Sequence, residues 1–197
     1  MGQYEEVVKI LEDDLNKTGL EAAARHMGLK LSDGQIELKM LGERFFLTGD
    51  GVSRKNGEIS EVEALIILNA ALSPGDTRIS PEWKRYDEFP GTTGHADYFR
   101  NRAEDQLASL AEKIIVKKEE ILKGIEGTGK ENTGGADMSF VLEPFTNIRI
   151  LCQLYVGDDE FPADSRIFFS ANADRFLPPQ CLEELVFNLI KKIRSKV

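Results

Sequence analysis

Two histidines, two cysteines and 34 acidic residues are the raw material for chemistry in this 197-residue chain. His95 and Asp97 stand beside Gly91 and Gly94 at the start of a helical pattern. There an imidazole and a carboxylate suit a ligand pair or an acid–base pair. The plainer reading is that Asp97 favours a helix N-terminus and His95 is a solvated loop residue. His26, the other histidine, reads as a surface or capping residue.

A second group, Asp158, Asp159, Glu160 and Asp164, places four hard oxygen ligands within seven residues, enough in kind for calcium or magnesium. It lacks the Asp-x-Asp-x-Asp-Gly spacing of a calcium loop, and a solvated acidic turn that discourages edge pairing explains it as well. The stretch Gly124 to Lys130 fits Gly-x-x-x-x-Gly-Lys, but Glu131 follows where a phosphate loop needs Ser or Thr. The expected context is also reversed, with a helix before the loop and none after it. Cys181 precedes the last helical pattern with no histidine near it in sequence, a weak setting for a nucleophile.

Composition narrows the classes. Hydrophobic residues make up 41% and charged residues 30%, as in ordinary soluble globules. The net charge of -9 repels phosphate backbones, so nucleic acid is not expected as a partner. Cys152 and Cys181 form no Cys-x-x-Cys arrangement and cannot by themselves hold an iron–sulfur cluster. No metal and no cofactor is therefore expected. The first fifteen residues interleave six charges with apolar positions, unlike a signal peptide or membrane span, so cytoplasmic residence and no membrane association are expected.

The elements that would position these groups follow from periodicity. Val7, Val8, Leu11 and Leu15 give an amphipathic first helix, and Thr18-Gly19-Leu20-Glu21 has the form of a capping box for a short second one. Ile36, Leu38 and Met40 alternate behind Asp33-Gly34, a hairpin that continues into Arg44 to Leu47 as a three-stranded meander. Ser60 to Glu63 is another capping box, opening a helix that ends at Ser73-Pro74-Gly75. Trp83, Tyr86 and Phe89 sit in an aromatic connecting turn packed by its rings. A long amphipathic helix runs from about Ala96 through Phe99, Ala103, Leu107, Leu110 and Ile114, with a possible break before Leu122. Residues 124–135 contain five glycines and are expected to be a mobile loop.

The last third returns to strands, at Met138 to Leu142, Ile148 to Val156 and Ile167 to Ser170, before a closing helix after Pro178-Pro179. Between the last two strands Gly157 to Ala163 forms an acidic corner, and Phe161 is expected to fold inward as its anchor. Segregated blocks of strands and helices argue for a single α+β domain over residues 1–197, with helices around a mostly antiparallel sheet of about five or six strands.

The segments Trp83 to Gly91, Gly134 to Asp137, Pro144-Phe145, Val156 to Ala163, Ile167 to Phe169 and Ala173 to Pro178 together resemble a prokaryotic family, the domain of unknown function thirty-seven eighty-six. The similarity runs nearly the whole length, and Asp-Glu-Phe-Pro at 159–162 is its most specific piece. The resemblance implies an anaerobic bacterial or archaeal setting. It also implies an accessory role near corrinoid proteins of one-carbon metabolism, since some relatives are joined to an iron–sulfur domain like theirs. This chain carries no cysteine-rich module, and it has Ser170 where the family usually has Asp, which weakens an enzymatic reading.

The expectation is thus a non-catalytic accessory domain that binds a partner protein or small ligand, with Trp83, Tyr86, Phe89, His95, Asp97, Asp158, Asp159 and Glu160 as its binding residues. The alternative is a divalent-metal-dependent hydrolase or transferase that uses His95, Asp97, Asp158 and Glu160. It requires those side chains to converge within about 5 Å, because metal–oxygen bonds leave little slack.

Overall fold

The computed structural model describes residues 4–74, 78–130 and 134–197. Alternating apolar and polar residues give β2 (Gln35–Met40) one buried face, and it pairs with β1 (Leu31–Ser32) and β3 (Glu43–Thr48) through two-residue turns. Both central residues of each turn, Asp33-Gly34 and Leu41-Gly42, have positive φ, the geometry that matches strand twist across a tight hairpin. A fourth strand, β4 (Gly51–Arg54), extends the expected meander, in the order β1-β2-β3-β4.

The second sheet comprises β5 (Trp83–Arg85), β6 (Thr128–Lys130), β7 (Met138–Phe145), β8 (Ile148–Tyr155) and β9 (Asp164–Ser170), ordered β5-β9-β8-β7-β6. All its pairings are antiparallel, so the chain is an α+β domain. The strands divide between two sheets rather than forming one of five or six. Strands as short as β1, β5 and β6 are too brief to carry a period and are defined by their partners.

Two helices open the chain, α1 (Glu5–Thr18) and α2 (Leu20–Met27). The capping box expected at Thr18 does not form. Thr18 still belongs to α1, and Gly19 at φ 82° joins the helices without a side-chain cap. The box at Ser60 does form, with Glu63 N–H donating to Ser60 Oγ and Ser60 N–H to Glu63 Oε2. It opens α3 (Glu61–Leu72), whose residues Ala64 to Leu68 are all buried. A helix apolar around its circumference belongs in the interior, and α3 lies against α1, α2 and the closing helix α8 (Pro179–Arg194). The helix ends where Ser73-Pro74-Gly75 predicts, at Leu72 with Ser73 as its C-cap, and Gly75 itself lies outside the described residues.

The expected long helix is segmented. It begins as α4 (Ala96–Phe99), widens into a π-helical turn at Arg100–Glu104, resumes as α5 (Asp105–Ala108), and continues after breaks as α6 (Ala111–Val116) and α7 (Lys118–Ile125). The expected glycine loop at 124–135 is regular at its start. Gly124 and Ile125 end α7, and Thr128 to Lys130 pair with Val141, Phe140 and Ser139 of β7. Glycine in this strand is tolerated because neighbouring backbone supplies the hydrogen bonds. Residues 131–133 lie outside the described set.

Candidate functional site: a cleft between the π-turn and the last helix

An amphipathic α8 turns Leu182, Leu185, Val186, Leu189 and Ile193 to the core, which leaves Gln180, Glu184, Phe187 and Lys191 on the other side at helical spacing. Facing them are Tyr98 of α4, Arg102 of the π-turn and Gln106 of α5. The two walls enclose a cleft of about 1000 Å³, with His95, Gly91 and Tyr86 at its margin and Tyr4 contributed by the start of the chain.

One end is acidic. Glu183 is only 7% exposed, yet it lines the cleft, and its Oε2 accepts a 2.7 Å hydrogen bond from the Tyr86 hydroxyl and lies 3.8 Å from His95 Nδ1. Burial and the adjacent carboxylate raise the Tyr86 phenol well above its ordinary pKa, so it remains a donor. Glu184 accepts a 3.0 Å bond from the Tyr4 hydroxyl, which in turn accepts from Gln180 Nε2 at 3.2 Å. Burial likewise raises Tyr4. Cys181 is buried, and its thiol is pushed up to about 12 by that burial and by Glu184, so it stays neutral rather than acting as a nucleophile.

The other end is basic. The Arg102 guanidinium lies 5.8 Å from the Tyr98 ring centre and 5.6 Å from that of Phe187, and the two rings meet edge to face at 5.9 Å. Arg194 donates to Gln106 Oε1 at 2.6 Å and ties the walls together. Lys191 borders the same end, whereas its neighbour Lys192 turns away to Glu43 at 2.6 Å. Between the ends, Asn188 has a buried Nδ2 without a hydrogen-bond partner.

The π-turn sets this wall's register. A π-turn offsets the side chains that follow it from the α-helical pattern, and such turns are frequent at functional sites. It is anchored from behind by Glu104, whose Oε1 accepts from Ile167 N–H of β9 at 3.0 Å and Oε2 from Arg85 at 3.3 Å, while its carbonyl accepts from Ser165 Oγ at 2.7 Å. Burial holds the Glu104 carboxyl above its usual range, partly offset by the Ile167 N–H and by Arg85.

The structure distributes the expected site residues rather than gathering them. Tyr86 and His95 border the cleft, but Asp97 lines a separate pocket of about 220 Å³ with Arg85, Asp87, Arg100 and Glu104. Phe89 is a core residue, edge-on to Phe169 at 5.9 Å, and the Tyr86 ring is stacked on Phe99 at 4.3 Å. The aromatic turn is therefore packed by its rings, as its composition suggests, and offers only the Tyr86 hydroxyl to a ligand. Trp83 is half-buried on β5, with Lys130 and Arg149 about its ring at 5.2 and 5.1 Å. Ser170 is fully buried and accepts a 3.3 Å bond from Arg149 N–H.

Asp158, Asp159 and Glu160 are exposed, as expected, but Phe161 is not their anchor: it is 68% exposed. The corner closes on itself. Asp158 Oδ1 accepts from the N–H groups of Glu160 and Phe161 at 2.8 and 2.7 Å, and Asp158 N–H donates to Phe161 O at 2.8 Å. A carboxylate satisfied by local backbone needs no ring below it, and Val156, rather than Phe161, packs against the core. Those two N–H bonds hold Asp158 below the usual carboxylate range. Among the described residues no group of three or more His, Cys, Asp or Glu is arranged to hold a metal ion. No described helix is long and apolar enough to cross a membrane.

Glu183, Glu184, Arg102, Lys191 and Tyr4 were missed by sequence reasoning. The charges of α8 suit any solvated amphipathic helix, and a π-turn leaves no mark in hydrophobic spacing. The available signal was an aromatic, Phe187, on the polar face of α8.

The profile of a family described as Domain of unknown function (DUF3786) matches residues 19–191, and the chain belongs to that family. No curated protein and no solved structure matches it.

Proposed function

With membership of the DUF3786 family as the premise, we propose that this chain is a non-catalytic binding domain whose small-molecule ligand occupies the cleft between the π-turn and α8. The observation that carries the reading is Glu183. A carboxylate this enclosed is costly unless something compensates it, and its described partners are a neutral phenol and a half-distant imidazole. The opening beside it admits a further partner from solution. Cytoplasmic residence, which rests on the charges interleaved in the first fifteen residues, and an accessory role beside corrinoid or one-carbon cofactor proteins, which rests on the family resemblance, belong to the same proposal.

The test is a thermal-shift screen of small polar metabolites, run without oxygen on the wild type and on Asn188→Trp and Gln106→Trp, which fill the cleft from opposite walls. Compounds that raise the wild-type midpoint should leave both filled variants unmoved. Equal shifts in all three proteins, or none in the wild type, overturn the proposal.

A further inference from the structure

We infer that the cleft selects a dipolar ligand, with an amine at the Glu183 end and a carboxylate at the Arg102 and Lys191 end. The inference rests on the proposed binding role and specifies its ligand class. Three observations converge on it. The charges are segregated, with Glu183 and Glu184 near the first turns of α8 and Lys191 and Arg194 in its last turns. Along α8, Glu183 and Lys191 are separated by about 12 Å at 1.5 Å per residue. Side chains reaching inward from both ends shorten that span to one matched by an ω-amino acid or a short peptide.

Partner use points the same way. No Lys or Arg pairs with Glu183 among the described residues, and its contacts are Tyr86 and His95. Arg102 makes no described ion pair and lies against ring faces, which leaves its planar fork of donors suited to a carboxylate. The basic residues of a helix C-terminus are often explained by the helix dipole alone. Here that explanation covers Lys192, already paired with Glu43, but not Arg102, which comes from the opposite wall.

The middle of the cleft has the matching character. Tyr98 and Phe187 offer ring surface for an apolar spacer between the charged ends. A ligand with both charges satisfies both ends at once, whereas a simple anion leaves Glu183 uncompensated and repelled.

Isothermal titration calorimetry with 6-aminohexanoate, hexanoate and hexylamine tests this, with triglycine as a second dipolar probe. At least one dipolar probe should bind ten-fold or more tighter than either singly charged one. Glu183→Gln should reduce its affinity to that of hexanoate, and Arg102→Gln to that of hexylamine. Arg102 is exposed, so the second variant keeps the test available if the first folds poorly. Hexanoate binding as tightly as the dipolar probes overturns the inference in favour of an anion site. If neither dipolar probe binds while other compounds still stabilise the wild type and not the filled variants, the ligand class is wrong and the binding role survives. If nothing distinguishes the filled variants, both fall.

Discussion

The acidic corner at 157–163 and the acidic end of the cleft both carry carboxylates, the first exposed and the second enclosed, and they satisfy them by opposite means. Asp158 is served by backbone N–H groups two and three residues away. Glu183 is served by a hydroxyl 97 residues away, on a turn whose position depends on the packing of Tyr86 against Phe99 and Phe169. A locally closed carboxylate is held by the turn that it closes and is a structural bend. A carboxylate closed by a distant residue sits where separate elements meet, and such junctions are where clefts form. Acidity in the sequence therefore marked the corner, while geometry marks the cleft.

The contrast can be broken first at Tyr86. Tyr86→Phe preserves the ring stack but strips Glu183 of its donor, and a loss of about 2 kcal/mol is expected because a charged acceptor is left short of a partner. Urea denaturation of Tyr86→Phe, Glu183→Gln and the double variant should show the two losses to be non-additive. An additive result would mean the pair does not hold the cleft's acidic end.

At the corner, Gly157 is the sensitive position. A Cβ there would stand 2.7 Å from Ala163 N, so Gly157→Ala must shift backbone, at about 1–2 kcal/mol by comparison with overpacked sites. Heat denaturation measures it. A neutral result would show that the corner is looser than its hydrogen bonds imply.

pH sharpens the comparison further, because the two regions should respond with opposite sign. Asp158 is lowered in the folded state, so its contribution is present above the ordinary carboxylate range and is lost as pH falls through its own, lower value. Glu104, behind the π-turn, is raised by burial, so the folded protein binds more protons than the unfolded chain just above the ordinary carboxylate range, and stability falls as pH rises through that window. On acidification, amide protection corrected for intrinsic exchange should decline at Phe161 and be maintained or grow at Ile167. Glu104→Gln should remove the second response and leave the first. Parallel responses at both amides would contradict the assignment.

The smallest effect is expected at Phe161. As an exposed ring it contributes little, and Phe161→Ser should change stability by less than about 0.5 kcal/mol. A larger loss would restore the anchor that composition suggested. That expectation failed for an instructive reason: the apolar content of a loop does not reveal which residue is its plug, and Val156, at the end of the strand run, takes the inward position.

Much of the fold was legible because its signals are local. Asp33-Gly34 specified a turn, Ser60 and Glu63 a cap, and Pro178-Pro179 a helix start, each through the conformations those residues allow within a few positions of themselves. The alternation in β2 and the apolar spacing of α8 likewise determined which faces are buried. Only the tertiary structure decided that the strands form two sheets, that a π-turn interrupts the helix after Phe99, and that Tyr86 reaches Glu183 while Asp97 turns to another pocket. Those outcomes depend on pairings between residues far apart in sequence, whose free energy comes from burying surfaces together, and no single stretch of chain contains both halves of such a contact.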